Sequence, residues 1–278
     1  MRFRRLLSLT LIVAIVIAAC GCAKKSEDVV ITDAADIAGK RVGVALSWGA
    51  DYVMSKRTDI TLIRYDMASS LVMALRYGQI DLIAVERPYA VEMANSISGL
   101  EIFDTPVATD KLVVYVCAQR RDVYDDFNSY VSEFIGSQEY EDLQSRLASD
   151  DEFEDVPVEL TGNGEKILNV GVCVDAYPFA YWDFEKNAFA GSDVEVISRF
   201  ANERGYTIEF SEGTYTTMEM GVASGKLDVA IGGMADSYRE DIEATGAVLL
   251  SNPYMGYDIV IMQAPDRTKL KVETTIDY

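Results

Sequence analysis

The 278-residue chain contains no histidine. Serine–histidine–aspartate and cysteine–histidine catalysis of the usual kind are therefore excluded, as are histidine-bearing zinc sites. Cysteine is scarce: outside the N-terminal segment there are only Cys117 and Cys173, each inside an apolar run (113–117 and 170–174). Both read as buried structural thiols, with a disulfide as the alternative. Positive charge is short as well. Twenty-five Lys and Arg face 45 Asp and Glu, a formal net charge of −20, or −23 once residues 1–19 are set aside. Such a surface repels phosphate backbones, which argues against nucleic acid as a partner and fits an exposed, soluble protein. What remains is ordinary globular composition, 49% apolar and 25% charged, in a chain long enough for two domains.

The N-terminus reads as an address. Residues 1–19 open with Arg2, Arg4 and Arg5, followed by an apolar stretch from Leu6 to Ala19. That combination makes a signal peptide. Fourteen residues rise only about 21 Å as a helix, short of the ~30 Å hydrocarbon core, so a spanning anchor is the weaker option. Ile17-Ala18-Ala19-Cys20-Gly21 resembles a bacterial lipobox, with Cys20 as the acylated residue and residues 20–30 as a polar tether. Plain cleavage and release is the alternative.

Beyond the tether, short β-branched runs alternate with helical segments, the pattern of α/β lobes with mainly parallel sheets. Strands are expected at 41–45, 61–65, 82–85, 112–117, 167–174, 207–210, 229–231 and 259–262. Helices are expected at 69–77, 89–95, 124–135, 139–147, 194–204, 217–223 and 238–244. An internal similarity accompanies this alternation: the segment 74–83 recurs at 221–230, aligning Gly78 with Gly225 and Asp81 with Asp228. Each copy reads as a helix stopped by glycine, a turn and a buried strand, because the residue past a helix end commonly takes positive φ. Residues 149–166, acidic and then Pro- and Gly-containing, read as a solvated linker. The run lacks the glycine and ligand spacing of a calcium loop, so no metal is expected there.

Several motifs in order resemble the extracytoplasmic solute-binding proteins of the polar amino-acid class, solute-binding family 3, which have a two-lobed type II periplasmic-binding fold. Residues 167–181, the run Gly191-Ser192-Asp193-Val194-Glu195, residues 224–228 and Ser251-Asn252-Pro253-Tyr254 resemble landmarks of the family's first lobe, over 167–262. Residues 38–44 and 78–88 resemble the second lobe, placed over 31–111, and 112–148 resemble the return strand and C-terminal helices. The lobes thus stand in reversed order, the second preceding the first, with 263–278 as a crossover tail. Either the chain is a circular permutant or two module fragments are joined.

The resemblance implies a small-molecule ligand, in the first instance an amino acid, delivered to an ABC transporter permease by a membrane-anchored lipoprotein. It implies no cofactor and no catalysis. Alternatives are a sensory or orphan binding module and a dehydratase-type enzyme on the same fold. Arg239 is the expected carboxylate anchor, with Asp236 capping its helix and Gly233 in the preceding turn; Arg239 offers a planar fork. Glu86 is expected to meet the ligand's ammonium group. Tyr177, Phe179 and Tyr181 form an aromatic wall, with Asp175 beside it, and Ser47 and Trp48 occupy a further family position at which Trp48 departs from the usual residues.

Overall fold

The computed structural model describes residues 28–271. The signal segment, Cys20, most of the tether and the last seven residues of the tail lie outside the described residues.

Two five-stranded mixed sheets carry the fold. The first is ordered β2(Thr61–Tyr65)–β1(Arg41–Ala45)–β3(Leu82–Glu86)–β13(Met255–Gln263)–β4(Glu101–Leu112). The second is ordered β10(Thr207–Gly213)–β6(Ile167–Cys173)–β11(Val229–Ile231)–β5(Tyr115–Cys117)–β12(Val248–Leu250). In each, three parallel strands share one winding, and two antiparallel strands extend the third. The expectation of mainly parallel sheets thus holds for only three strands of each five. The reason lies in the crossings. β4 runs out of the first sheet and becomes β5 of the second after Val113-Val114, while β12 leaves the second and becomes β13 of the first after residues 251–254. Around these strands lie α1(Gly49–Ser55), α2(Ser69–Arg76), α3(Arg87–Ser96), α4(Arg121–Phe134), α5(Gln138–Leu147), α6(Ser192–Arg204), α7(Tyr215–Ala223) and α8(Arg239–Glu243). A small hairpin sheet, β7(Asp175–Ala176), β8(Ala180–Asp183) and β9(Ala188–Ala190), hangs off the end of β6.

The internal similarity falls on equivalent places. Gly78 and Gly225 both take positive φ, 67° and 75°, past the ends of α2 and α7. The Asp81 carboxylate then accepts the Arg41 N–H at 2.9 Å, and Asp228 accepts the Asn169 N–H at 2.8 Å. Each aspartate pins the entry of the third parallel strand to its central neighbour, and each is paired with an arginine, Arg41 or Arg120.

The crossings are tied to one another. Val114 N donates to Ser251 Oγ at 2.9 Å and Ser251 N donates to Val114 O at 3.0 Å. Residues 148–166 form no regular element and lie along the second sheet's lobe, where Asp155 accepts the Gly191 N–H and the Asn202 carboxamide bonds Glu159 O and Thr161 N. They touch the other lobe through Asp150, which receives Arg87 Nη2 at 3.2 Å.

Candidate functional site

The carboxyl ends of the parallel strands of both sheets face a common cleft, where ligands of open α/β sheets are held. From the first lobe, β3 is buried over all five residues and delivers Glu86, 3% exposed, at its last position. Pro88 in the first turn of α3 starts a helix immediately after it. Glu86 Oε1 accepts the Ala50 N–H at 3.0 Å. From the hinge strands come Asp110 and Tyr257, each 7% exposed. Asp110 Oδ1 accepts Lys111 N at 2.8 Å and, across the cleft, Ser237 N at 3.2 Å.

Glycine is required at position 49 by close approach. A Cβ there would collide with the Tyr257 hydroxyl and lie 2.9 Å from Asp110 Oδ2 and 3.3 Å from Glu86 Oε1. Three polar groups therefore converge on one point. Glu86 Oε2, Asp110 Oδ2 and Tyr257 Oη are buried there without a hydrogen-bond partner among the described residues. Burial pushes the Glu86 carboxyl up to about 7, with the neighbouring Asp110 adding to the rise, and burial raises Asp110 as well. Asp110 and Tyr257 also border a hollow of about 510 Å³, together with Pro88, Phe179, Leu147 and Met255.

The second lobe answers with a different arrangement. Asp193, near the start of α6, accepts Gly232 N at 3.0 Å and Gly233 N at 2.8 Å on one oxygen. Burial raises its carboxyl to about 6. Phe179, 3% exposed, sits over Gly233 and reaches across to Tyr257, ring centroids 5.6 Å apart. Tyr238 packs its ring on Tyr52 at 4.7 Å and donates to Trp48 O at 3.3 Å, so the lobes meet on this flank too.

Of the residues singled out from the sequence, the structure brings Glu86, Phe179 and Gly233 to the cleft. Trp48 is 6% exposed and stands edge-on to Tyr89 inside the first lobe, presenting only its carbonyl. Ser47 takes φ of 67° and donates its N–H to Asp51. Tyr177 and Tyr181 pack on each other with tilted rings, centroids 5.0 Å apart; Tyr177 lines the groove beside Glu92, Asp151 and Glu152. Asp175 is exposed and receives the Cys173 thiol. Cys117 and Cys173 are both free and buried.

Arg239 is engaged on every side. Nε donates to Asp236 at 2.8 Å, Nη1 to Leu250 O at 2.8 Å and Glu243 at 3.2 Å, and Nη2 to Ser251 O at 2.7 Å. In this arrangement Arg239 and Asp236 fasten the crossing after β12. The sequence does not single out Asp110, Tyr257, Asp193 or Ser237. Asp193 lies in the run Gly191–Glu195 that resembles the family, and Asp110 and Tyr257 lie in strands whose polar alternation hides them.

Comparison with known proteins bears on the second lobe. Residues 168–271 match the sequence profile of bacterial extracellular solute-binding proteins, family 3. The L-cystine-binding protein TcyA of Bacillus subtilis is 28% identical over 110 residues, 40% of this chain and 39% of that protein. Among solved structures, the ligand-binding component of an ABC-type import system from Staphylococcus aureus is 10% identical with a TM-score of 0.45, covering 81% of this chain and 66% of its own. The alkanesulfonate-binding protein SsuA of Xanthomonas axonopodis pv. citri is 14% identical with a TM-score of 0.37, covering 82% and 65%. The chain thus spans about two-fifths of its curated relative and just under two-thirds of each of these structures. Among the described residues no helix is long and apolar enough to cross a membrane. That family match runs from β6 through the hinge to the end of the described chain.

Proposed function

We propose that this chain is an extracytoplasmic binding lipoprotein, anchored through Cys20, which captures a small solute between its lobes for an ABC transporter permease. It binds its ligand without transforming it. The lobe order, with 31–111 ahead of 167–262, is that of a circular permutant in which 149–166 joins the family's C-terminal helices to its opening strand. Loop closure grows slowly with length, so such a join costs little. The amino-acid ligand of the resemblance has two ends. Its ammonium end is supported by one observation above all: Glu86, Asp110 and Tyr257 come together around Gly49, and each has a buried oxygen without a hydrogen-bond partner among the described residues. An ammonium group supplies the donors these atoms lack.

A thermal-shift screen of the chain from residue 24 onward, against amino acids and related small amines, tests this. A ligand at 100 times its Kd raises stability by about 2.7 kcal/mol. Mass spectrometry of the ligand after incubation should find it unchanged. A chain that shifts with no small solute in the screen, or that converts the ligand, would remove the proposal.

A further inference from the structure

An amino acid also has an anionic end, and the donors around the cleft decide where it is held. Several of them already serve the protein itself. Gly232 N and Gly233 N meet Asp193, Ser237 N meets Asp110, and Ala50 N meets Glu86. The Arg239 guanidinium is engaged by Asp236, Glu243 and the carbonyls of Leu250 and Ser251. A carboxylate seated on Arg239 would have to undo the fastening of the crossing after β12.

The hollow of about 510 Å³ that borders Asp110, Tyr257 and Phe179 is lined by two cations, Arg87 and Lys111. Its other donor side chains, on Thr109 and Gln144, are neutral. Ser237 Oγ, buried without a hydrogen-bond partner among the described residues, is neutral too and lies beside the Asp110 carboxyl. Arg87 heads α3 directly after Glu86 and is 25% exposed. Its Nη2 reaches Asp150 at 3.2 Å and Asp104 at 3.7 Å, on side chains 79% and 87% exposed. Ion pairs with groups so exposed are weak and readily exchanged. Nε and Nη1 of Arg87 make no hydrogen bond among the described residues.

Lys111 is exposed and forms no ion pair among the described residues. Successive residues of a strand face opposite ways, so it reaches the hollow from the outer edge, away from buried Asp110. Asp258, opposite Thr109 in the ladder, adds an acid at that edge. The planar fork of Arg87 matches a carboxylate with two parallel bonds, which the point charge of Lys111 does not.

We infer that Arg87, and not Arg239, receives the ligand's carboxylate, with Lys111 as a second cation at the rim. Both charged ends of a zwitterion are then held by the first lobe and its hinge strands. The inference rests on the solute-binding reading above and assigns the end of the ligand that reading leaves open. In binding, the ligand takes the place of Asp150 on Arg87.

Titration calorimetry of the chain from residue 24 onward, with the twenty standard amino acids and their carboxamides, tests it. An amide keeps the ammonium group and loses the negative charge. The tightest amino acid should bind at least tenfold more tightly than its amide. Arg87→Gln should weaken that amino acid tenfold or more and its amide less than twofold, so the preference collapses. Lys111→Gln should reduce the preference severalfold. Asp150→Asn removes the competing acid and should bind as tightly as the wild type or more tightly. Should Arg87→Gln fail to fold, Arg87→Lys, which keeps the charge without the fork, should still reduce the preference severalfold. An unchanged preference in the Arg87 variant would overturn the inference, and so would an Asp150→Asn loss equal to that of Arg87→Gln, which makes Arg87 a clasp for the linker. Amides binding as tightly as amino acids would overturn it while leaving a solute-binding protein. Binding of none of these probes would also overturn it, and the wider screen then decides the solute-binding reading separately.

Discussion

Glu86 and Asp193 are buried carboxylates at the cleft, one from each lobe, and the two are used in opposite ways. Asp193 spends a single oxygen on two backbone amides and so fixes the turn after β11. Glu86 spends one oxygen on Ala50, and the other has no hydrogen-bond partner among the described residues. Both are raised by burial, to about 6 and about 7. Burial alone therefore does not tell these two acids apart; the count of satisfied oxygens and donors does. The same count separates the cationic groups, since Arg239 is fully engaged within its own lobe and the hinge.

The contrast is sharpest in Asp193→Ala. Two buried amides lose their acceptor, at about 1–3 kcal/mol each. A loss of about 3 kcal/mol is expected, seen as a fall of roughly 6–12 °C in the melting midpoint. A change under one degree would remove Asp193 from the structural role.

Glu86→Gln should act in the other direction on the ligand-free protein. Folded Glu86 holds its proton up to about pH 7, while a free glutamate titrates at 4.5, so the folded state binds more protons between those values. Its contribution to stability is full below pH 4.5 and falls as pH rises to about 7. Glutamine cannot ionise. The variant should gain on the order of 2 kcal/mol at pH 8 over the wild type and show a flatter stability–pH curve between 4.5 and 7. Urea melts across that range check the sign; a variant less stable than wild type at pH 8 would break the contrast with Asp193. Tyr257→Phe is the smallest effect. Its hydroxyl has no hydrogen-bond partner among the described residues to lose, so the ligand-free protein should change by no more than about 0.5 kcal/mol.

Much of the frame was legible in the chain. β1, β2, β3 and β11 stand where β-branched runs place them, and Gly78/Asp81 and Gly225/Asp228 fall at equivalent points of two similarly wound sheets. Glu86 was legible because it ends an unbroken apolar run. The hinge strands were not. β4 is twelve residues containing Thr105, Pro106, Thr109, Asp110 and Lys111, and it is a strand because it pairs with β13, some 150 residues away in sequence. Local propensity carries no trace of such a partner. The expected strand 112–117 is in fact two, β4 ending at Leu112 and β5 starting at Tyr115, because the chain changes sheets at Val113-Val114. Arg239 was legible as a fork but not as a clasp, since its partners Leu250 and Ser251 are main-chain carbonyls, which any sequence supplies.

The paired bonds between Val114 and Ser251 have a mechanical consequence. Two backbones laced side by side make a flat ribbon, compliant to flexing through its thin dimension and stiff against torsion. Separation of Phe179 from Tyr257 is then a swing about one line, with swivelling suppressed.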